Sequence, residues 1–458
     1  MKRTVVSAVL VVALLLVSIS ASWAKPDPTI GINVLLNTSI TRAILRDLGT
    51  FGKVVDTLDA VNAVFLRGKA SDLPAIQALA YVAAANPDAE RTTGPVSAAA
   101  VEEFSGGLST WDMDAINVTD FWFGNRTVDF DGEGVYVAVL DTGLVKNWRA
   151  YFPEERIATE YAVSLGGGPT EYASTPVQPN KWERDTHSHG THVASTILGY
   201  WIFMSGGWVP VNGVAPKSTV IPVKVLNQNG GGWSGAIAKG ITYVADLKAG
   251  PLDGHPVVIN MSLGGPALDA VERAAIDYAI GKGVIIVASA GNEGEAGMGY
   301  PGAYAPVISS AASGWLGEWT SDGWWYGDVN EPTNPAEFYI ADFSSRELAD
   351  QDLDVAAPGT WVVGPYQVDQ GHLSWYYLGG TSMASPHVAG TVALMAQKDP
   401  TLSAADAELI LESTAVPLPA GCRMVVDPFA GAPEQVCWGV GATGAGLLDA
   451  AAALAATP

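Results

Sequence analysis

The sequence predicts an α/β fold with a mainly parallel central sheet flanked by helices, preceded by a small α+β unit. Three observations carry this expectation. From about residue 110, β-rich runs alternate with helical runs. Several of those runs are apolar throughout, as expected of parallel strands covered on both faces. Residues 1–107 differ from the rest: they hold about nine acidic and nine basic side chains, whereas the whole chain carries a formal net charge of −23. At 458 residues and 48% hydrophobic, the chain is long enough for two domains and apolar enough for a large core.

Residues 1–24 stand apart. Lys2 and Arg3 form a basic start, Val5 to Val17 is an apolar run, and Ser22-Trp23-Ala24 offers small residues for cleavage. That is the pattern of a secretory signal peptide, and the run is short for a membrane span. The expected destination is extracellular, with no membrane attachment after cleavage.

Residues 25–107 read as a separate unit. Ile30–Leu36 and Val61–Leu66 are strand candidates. Ser39–Leu48 has helical spacing, and Ser71 is a plausible cap for a helix through Leu79 with Pro74 in its first turn. The polar stretch Asn86–Pro95 and the small-residue stretch Val96–Leu108 suit an exposed, cleavable linker.

Residues 108–458 form the main domain. Val135–Leu140, Thr219–Val225, Val257–Met261, Val284–Ser289 and Val307–Ala312 read as strands. Ser234–Leu247 and Ala267–Ile280 read as helices; in the second, Val271, Ala274, Ala275, Tyr278 and Ala279 recur at helical spacing. Ligands in such folds bind at the carboxyl ends of the strands. The acidic balance argues against nucleic acid or anionic membrane as partner, since both need clustered Lys and Arg. Cys422 and Cys437 suit one disulfide in an exported chain. Two free thiols are the alternative; a metal site is disfavoured because no His lies near them in sequence.

The chemistry gathers at four places. The segment Gly380-Thr381-Ser382-Met383-Ala384-Ser385-Pro386-His387-Val388-Ala389-Gly390 puts a serine after a small-residue turn, at the head of a helical run. Unpaired N–H groups there favour anionic species, so Ser382 is a candidate nucleophile if a base exists elsewhere. Asp141 follows the strand Val135–Leu140; the bland alternative is a turn Asp before Gly143. His189 lies in His187-Ser188-His189-Gly190-Thr191-His192, where Gly190 permits a close backbone approach. A zinc cluster is the competing idea, but the spacing does not match the helical i, i+4 motif. His192 reads as a hydrogen-bonded core residue. Asn292, between Gly291 and Gly294, offers an amide N–H₂ to a developing oxyanion, or is merely a turn residue.

Together these supply nucleophile, base, orienter and oxyanion donor, in the chain order Asp, His, Ser. Residues from about 110 to 455 resemble the subtilisin-like serine protease family. Val139-Leu140-Asp141-Thr142-Gly143, His189-Gly190-Thr191-His192-Val193-Ala194 and Gly380–Gly390 resemble its Asp, His and Ser motifs. Asn260-Met261-Ser262-Leu263-Gly264-Gly265 resembles the strand lining its substrate cleft. Gly213-Val214-Ala215-Pro216 and Ala356-Ala357-Pro358-Gly359 also fit. Residues 25–107 are similar, more weakly, to the family's propeptide.

The resemblance implies a three-layer subtilisin-like fold and a monomeric secreted endopeptidase made as an autoprocessed precursor. Asp141, His189 and Ser382 would be catalytic, with Asn292 in the oxyanion hole. Ser262, Leu263, Gly264, Ala290 and Gly291 would bind an extended substrate as an added strand. Activity is then expected to rise with pH as the imidazole loses its proton. The partners implied are protein or peptide substrates and the chain's own propeptide as inhibitor. The maturation cut is expected between Arg91 and Thr110. Broad action is expected, with apolar or aromatic residues preferred before the cut, and Glu293 is placed at the lower rim of that pocket.

Departures are few. Ser195 stands where the family usually has Gly, and Gly379 where it often has Ser or Asn. The connection from Leu144 to Thr186 is long and suits a loop near the cleft. Gly314 to Ile340 is an insertion holding Trp315, Trp319, Trp324 and Trp325; a self-packed loop over apolar surface is favoured over a substrate wall. No cofactor is needed for the chemistry. Members of the family often bind structural calcium, but no acidic loop has regular oxygen-ligand spacing, and Tyr200–Asn212 is aromatic and Gly-rich. The competing readings are a catalytically silent binding protein on this scaffold, and an esterase or acyl-transfer enzyme using the same chemistry.

Overall fold

The computed structural model describes residues 27–92, 97–100, 108–165, 180–204, 207–367, 373–429 and 431–458. The signal-peptide reading therefore lies outside the described residues, as do residues 166–179 of the connection between Leu144 and Thr186. Among the described residues, no helix is long and apolar enough to cross a membrane.

The N-terminal unit contains β1 (Thr29–Leu36), α1 (Arg42–Leu48), β2 (Gly52–Leu58), β3 (Ala63–Lys69), α2 (Leu73–Gln77) and β4 (Val82–Pro87). Its antiparallel sheet has the order β2-β3-β1-β4. Alternation along β3 divides its apolar residues between two cores. Val64 and Leu66 pack with Ile32, Val34, Ile44 and Leu48 inside the unit. Ala63 and Phe65, on the other face, join the core of the main domain.

Several boundaries differ from the sequence reading. The first helix starts at Arg42 because Thr41 caps it, its hydroxyl accepting the Ile44 N–H at 3.3 Å. Ser71 caps nothing; its hydroxyl donates to Asp27 at 2.7 Å. β4 carries a single strongly β-forming residue, Val82, and pairing with β1 makes it a strand; β2, with Val54, Val55 and Thr57, pairs with β3. The exposed-linker reading of Asn86–Pro95 is corrected: Asp88 and Arg91 are buried. β5 (Glu90–Thr92) and β6 (Ser97–Ala100) are paired strands.

The main domain begins with α3 (Trp111–Asp114) and continues through β7 (Tyr136–Asp141), β8 (Val163–Ser164), α4 (His189–Leu198), the hairpin β9 (Tyr200–Met204) and β10 (Gly207–Val211), β11 (Thr219–Lys224) and β12 (Gly231–Trp233). Then come α5 (Ser234–Lys248), β13 (Val257–Met261), α6 (Ala270–Gly281), β14 (Val284–Ser289), β15 (Ile308–Trp315), β16 (Phe338–Ile340), β17 (Val355–Pro358), β18 (Val362–Pro365) and β19 (Trp375–Gly379). The chain closes with α7 (Thr381–Lys398), α8 (Ala404–Thr414), β20 (Gly421–Asp427), β21 (Ala432–Trp438) and α9 (Ala450–Ala456).

The central sheet runs β16-β15-β14-β13-β7-β11-β8, with β17 also on β15. All its pairings are parallel except β15–β16. Its apolar strands face two ways. Val137, Val139, Val258, Ile285 and Val287 meet residues of α4 and α7. Ala138, Leu140, Ile259, Ile286 and Ala288 meet residues of α5 and α6. Three layers follow from this alternation. The helix predicted from Ala267 starts at Ala270 because the Asp269 carboxylate accepts the N–H groups of Val271 and Glu272. Cys422 and Cys437 face each other across β20 and β21 and are bonded, so the free-thiol alternative falls.

Candidate active site

Adjacent parallel strands β7, β13 and β14 end on the same side of the sheet. Asp141 is the last residue of β7, Ser262 follows β13, and Asn292 follows β14. Asp141, Ser262 and Asn292 thus lie at or just past the carboxyl ends of three neighbouring strands.

Asp141 and His189 are both fully buried. Both carboxylate oxygens lie 2.9 Å from His189 Nδ1. The Thr142 N–H donates to Oδ1 at 2.6 Å, and the Asp141 carbonyl accepts from Val225 and Leu226. These contacts orient the carboxylate. His189 opens α4, and Gly190 follows it under the β7 turn. A Cβ at Gly190 would lie 2.5 Å from the Gly143 carbonyl oxygen and 3.2 Å from Asp141. Only glycine lets this helix start so close to the aspartate.

A second layer holds that pair. Thr142 Oγ1 accepts the Gly190 N–H at 2.9 Å and donates to Asp185 at 2.7 Å. The buried Lys224 ammonium donates to the Thr142 carbonyl. Burial pushes the Asp185 carboxyl up to about 6, against the opposing pull of Lys224. Burial also lowers His187 to about 4, with His189 adding to the effect. His192 Nε2 lies 3.1 Å from the Val362 carbonyl and burial lowers this imidazole to about 3. His192 is the hydrogen-bonded core residue expected. A cleft of about 620 Å³ beside Ser188 is lined by Lys146, Asn147, Arg184, Asp185, Thr186 and Gln367. The long Asp-to-His connection thus reaches the site.

Ser382 lies in the first turn of α7, buried at its mouth. Its hydroxyl donates to the Ser262 carbonyl at 3.3 Å. The neighbouring contacts follow from Pro386. Proline has no N–H, so the Ser382 carbonyl lacks its helical donor four residues on. The Ser262 hydroxyl supplies one instead, at 2.8 Å. Asn260 donates to Ser262 Oγ at 3.0 Å and accepts from Ser385 at 2.7 Å. Sequence reasoning quoted Asn260 only as part of the cleft strand and did not assign Ser385. The signal available was Pro386 itself, which inside a helix demands another donor for Ser382.

Asn292 Oδ1 accepts the N–H and the hydroxyl of Thr381 at 2.9 and 3.1 Å. The carboxamide is thereby fixed beside the turn into Ser382, with N–H₂ as its remaining polar group. The Gly291 N–H donates to Thr381 Oγ1 at 3.1 Å. Leu263 and Ala290 are buried, whereas Gly264 and Gly291 are partly open. Ala290 has both backbone groups engaged, with Ser310 and Gly299. Glu293 accepts from Ser345 Oγ at 3.1 Å.

Away from this centre, Trp319 and Trp324 pack on one another and on Tyr377, and Trp315 stacks on Trp111. The Trp-rich insertion covers apolar surface, as favoured. Asp352, Asp354 and Glu408 bring carboxylate oxygens within 4.8 Å of one another. Asp354 Oδ1 is buried without a hydrogen-bond partner among the described residues. All-oxygen donors with one lone pair unused fit a hard cation such as calcium. Two of them stand in the run Asp350-Gln351-Asp352-Leu353-Asp354, an alternating acidic signal in the sequence; Glu408, on α8, joins them only through the fold.

Comparison with known proteins gives a consistent result. Residues 132–439 match the model of the subtilase family. Subtilisin DY of Bacillus licheniformis is 33% identical over 293 residues, covering 63% of this chain and 86% of that protein. Thermitase of Thermoactinomyces vulgaris is 31% identical over 287 residues, covering 62% and 82%. The crystal structure of fervidolysin from Fervidobacterium pennivorans, described as a keratinolytic enzyme related to subtilisin, aligns with a TM-score of 0.64 at 22% identity. That alignment covers 94% of this chain and 62% of fervidolysin, and shows the fold alone. The S41 psychrophilic protease aligns with a TM-score of 0.54 at 29% identity, covering 75% of this chain and 99% of that one.

Proposed function

The chain belongs to the subtilase family and is a subtilisin-like serine peptidase, and from that premise we propose a secreted endopeptidase that works through Asp141, His189 and Ser382. Subtilases need no cofactor for peptide hydrolysis. The observation that carries the proposal is the buried Asp141–His189 pair, with both carboxylate oxygens 2.9 Å from Nδ1. That geometry holds one tautomer and leaves Nε2 as the ring's proton acceptor.

In this reading Ser382 Oγ attacks the peptide carbonyl and its proton passes to His189. The oxyanion that forms is met by the Asn292 N–H₂ and the Ser382 N–H. The tetrahedral centre collapses, the C–N bond breaks, and His189 returns the proton to the leaving amine. Water then attacks the acyl-enzyme with the same base. The backbone of Ser262–Gly264 would pair with the substrate, and Ala290 and Gly291 would border the pocket for the residue before the cut. Apolar or aromatic residues are favoured there, because Glu293 is turned to Ser345.

Residues 25–107 would act as folding aid and inhibitor. In support, β5 pairs with β12, and β6 pairs with β19, which leads directly into Ser382. The proposed order is signal removal from residues 1–24, folding, a cut between Arg91 and Thr110, and release of a monomeric enzyme. Asp352, Asp354 and Glu408 would hold a structural cation.

Casein hydrolysis by the native protein beside Ser382→Ala tests the reading. Turnover should fall by a factor on the order of 10⁶ in the variant. Casein left intact by the native protein would favour a silent scaffold. Cleavage of simple esters alone would favour the esterase alternative. N-terminal sequencing of the product locates the maturation cut.

A further inference from the structure

Glu272 lies on α6, wholly buried, and its carboxylate meets a side chain from the N-terminal unit. Arg91 Nε donates to Glu272 Oε1 at 3.3 Å, Nη2 donates to Oε2, and Nη2 also reaches the Ala267 carbonyl at 3.0 Å. Both side chains have 0% exposure. This is fork-on-fork recognition, which a guanidinium achieves and an ammonium does not.

Arg91 enters by strand addition. β5 lies antiparallel to β12, with Gly232 opposite Arg91. β6 is paired to β19, with Gly379 opposite Ser97. Gly380, Thr381 and Ser382 follow at once. β5 therefore lies antiparallel to β12, and β6, later in the chain, lies antiparallel to the strand that leads into Ser382. An extended peptide crossing the cleft in this direction would place its Arg91 equivalent on the N-terminal side of the cut.

The carboxylate is costly where it stands. Burying two charges is a weak source of stability, and a buried charge stripped of its partner is strongly unfavourable. Asp269, on the same helix start, adds like charge beside it. Arg91 departs with the N-terminal unit in the proposed maturation, and Glu272 stays. We propose that Glu272 is a specificity-determining residue, whose pocket takes the guanidinium of a substrate arginine a few residues before the bond to be cut. The inference rests on the serine endopeptidase reading and adds a substrate class to it: chains carrying an arginine upstream of the cleaved bond.

The test uses enzyme produced from the full-length chain and a set of quenched fluorescent peptides. One arginine is walked back from the residue before the cut, and each peptide has a twin with citrulline, which keeps the shape and removes the charge. At one upstream position the arginine peptide should exceed its twin in kcat/KM by about 30-fold or more, the scale for one partner of a buried charge pair. Glu272→Gln should abolish that difference. Equal rates for every arginine and citrulline pair with native enzyme would overturn the proposal, whatever the variant does. A preference that persists undiminished in folded Glu272→Gln would overturn it as well. If native enzyme cleaves neither peptides nor casein, the peptidase reading itself fails, which is a distinct result.

Discussion

Replacing Ser262 by Ala isolates the device that positions the serine turn. The Ser262 hydroxyl donates to the Ser382 carbonyl at 2.8 Å and accepts from Asn260 Nδ2 at 3.0 Å. Ser262→Ala therefore strips partners from two buried polar groups. Each buried orphan costs about 1–3 kcal/mol, so the loss should be about 2–6 kcal/mol. Pro386→Ala changes that sum. It restores an N–H four residues beyond Ser382, which can donate to the same carbonyl. In the Pro386→Ala background, Ser262→Ala should orphan only Asn260 and cost about 1–3 kcal/mol less. The measurement is a double-mutant cycle by urea unfolding, read by tryptophan fluorescence in a His189→Ala background that prevents self-digestion. The apolar packing of the proline ring is removed alike with and without Ser262, so it cancels from the cycle. Additivity of the two substitutions within about 0.5 kcal/mol would show that the Ser382 carbonyl does not depend on the Ser262 hydroxyl.

Three further outcomes are expected. Asn292→Ala should lower kcat by about 10²–10³ with little change in KM, because its N–H₂ would act on the oxyanion rather than on bound substrate; a rise in KM alone would assign it to binding. Gly190→Ala sets a Cβ 2.5 Å from the Gly143 oxygen, so the helix start must shift, and kcat should fall about 10²-fold even where the variant folds. Wild-type kcat in folded Gly190→Ala would show that the Asp141–His189 spacing is tolerant. The acidic trio should make stability depend jointly on pH and calcium. Burial first, and neighbouring acids after it, push Asp354 up to about 8 and Glu408 up to about 7. A carboxyl raised in the folded state binds more protons folded than unfolded. Stability should therefore fall as pH rises from about 4 to about 8, by at most about 1.4 kcal/mol per pH unit for each proton. Calcium needs ionised carboxylates, so it should raise the Tm near the top of that window and not at its foot. Glu408→Gln should remove the calcium-dependent part; identical Tm with calcium and with chelator at about pH 8 would count against the site.

Much of this molecule is legible along the chain. Apolar runs such as Val257–Met261 and Val284–Ser289 mark strands covered on both faces, because a sheet buried twice needs no polar alternation. Asp141, His189, Asn292 and Ser382 stand in local sequence that displays them: a strand end, a helix start or a small-residue turn. Family membership follows from those ordered motifs. The weak strand β4 is not legible, since pairing with β1 rather than propensity makes it. Nor is the burial of Arg91, whose surroundings read as a polar linker.

What only the tertiary structure decides are the relations between distant residues. It sets Asp141 against His189, joins the Ser382 carbonyl to Ser262, gathers Asp352, Asp354 and Glu408, and brings Arg91 to Glu272 across the gap between two units. Residue type and local spacing specify backbone conformation and apolar faces through short-range sterics and burial. A hydrogen bond or ion pair also needs a distance, and between residues far apart in the chain only the packing of the whole fold supplies it.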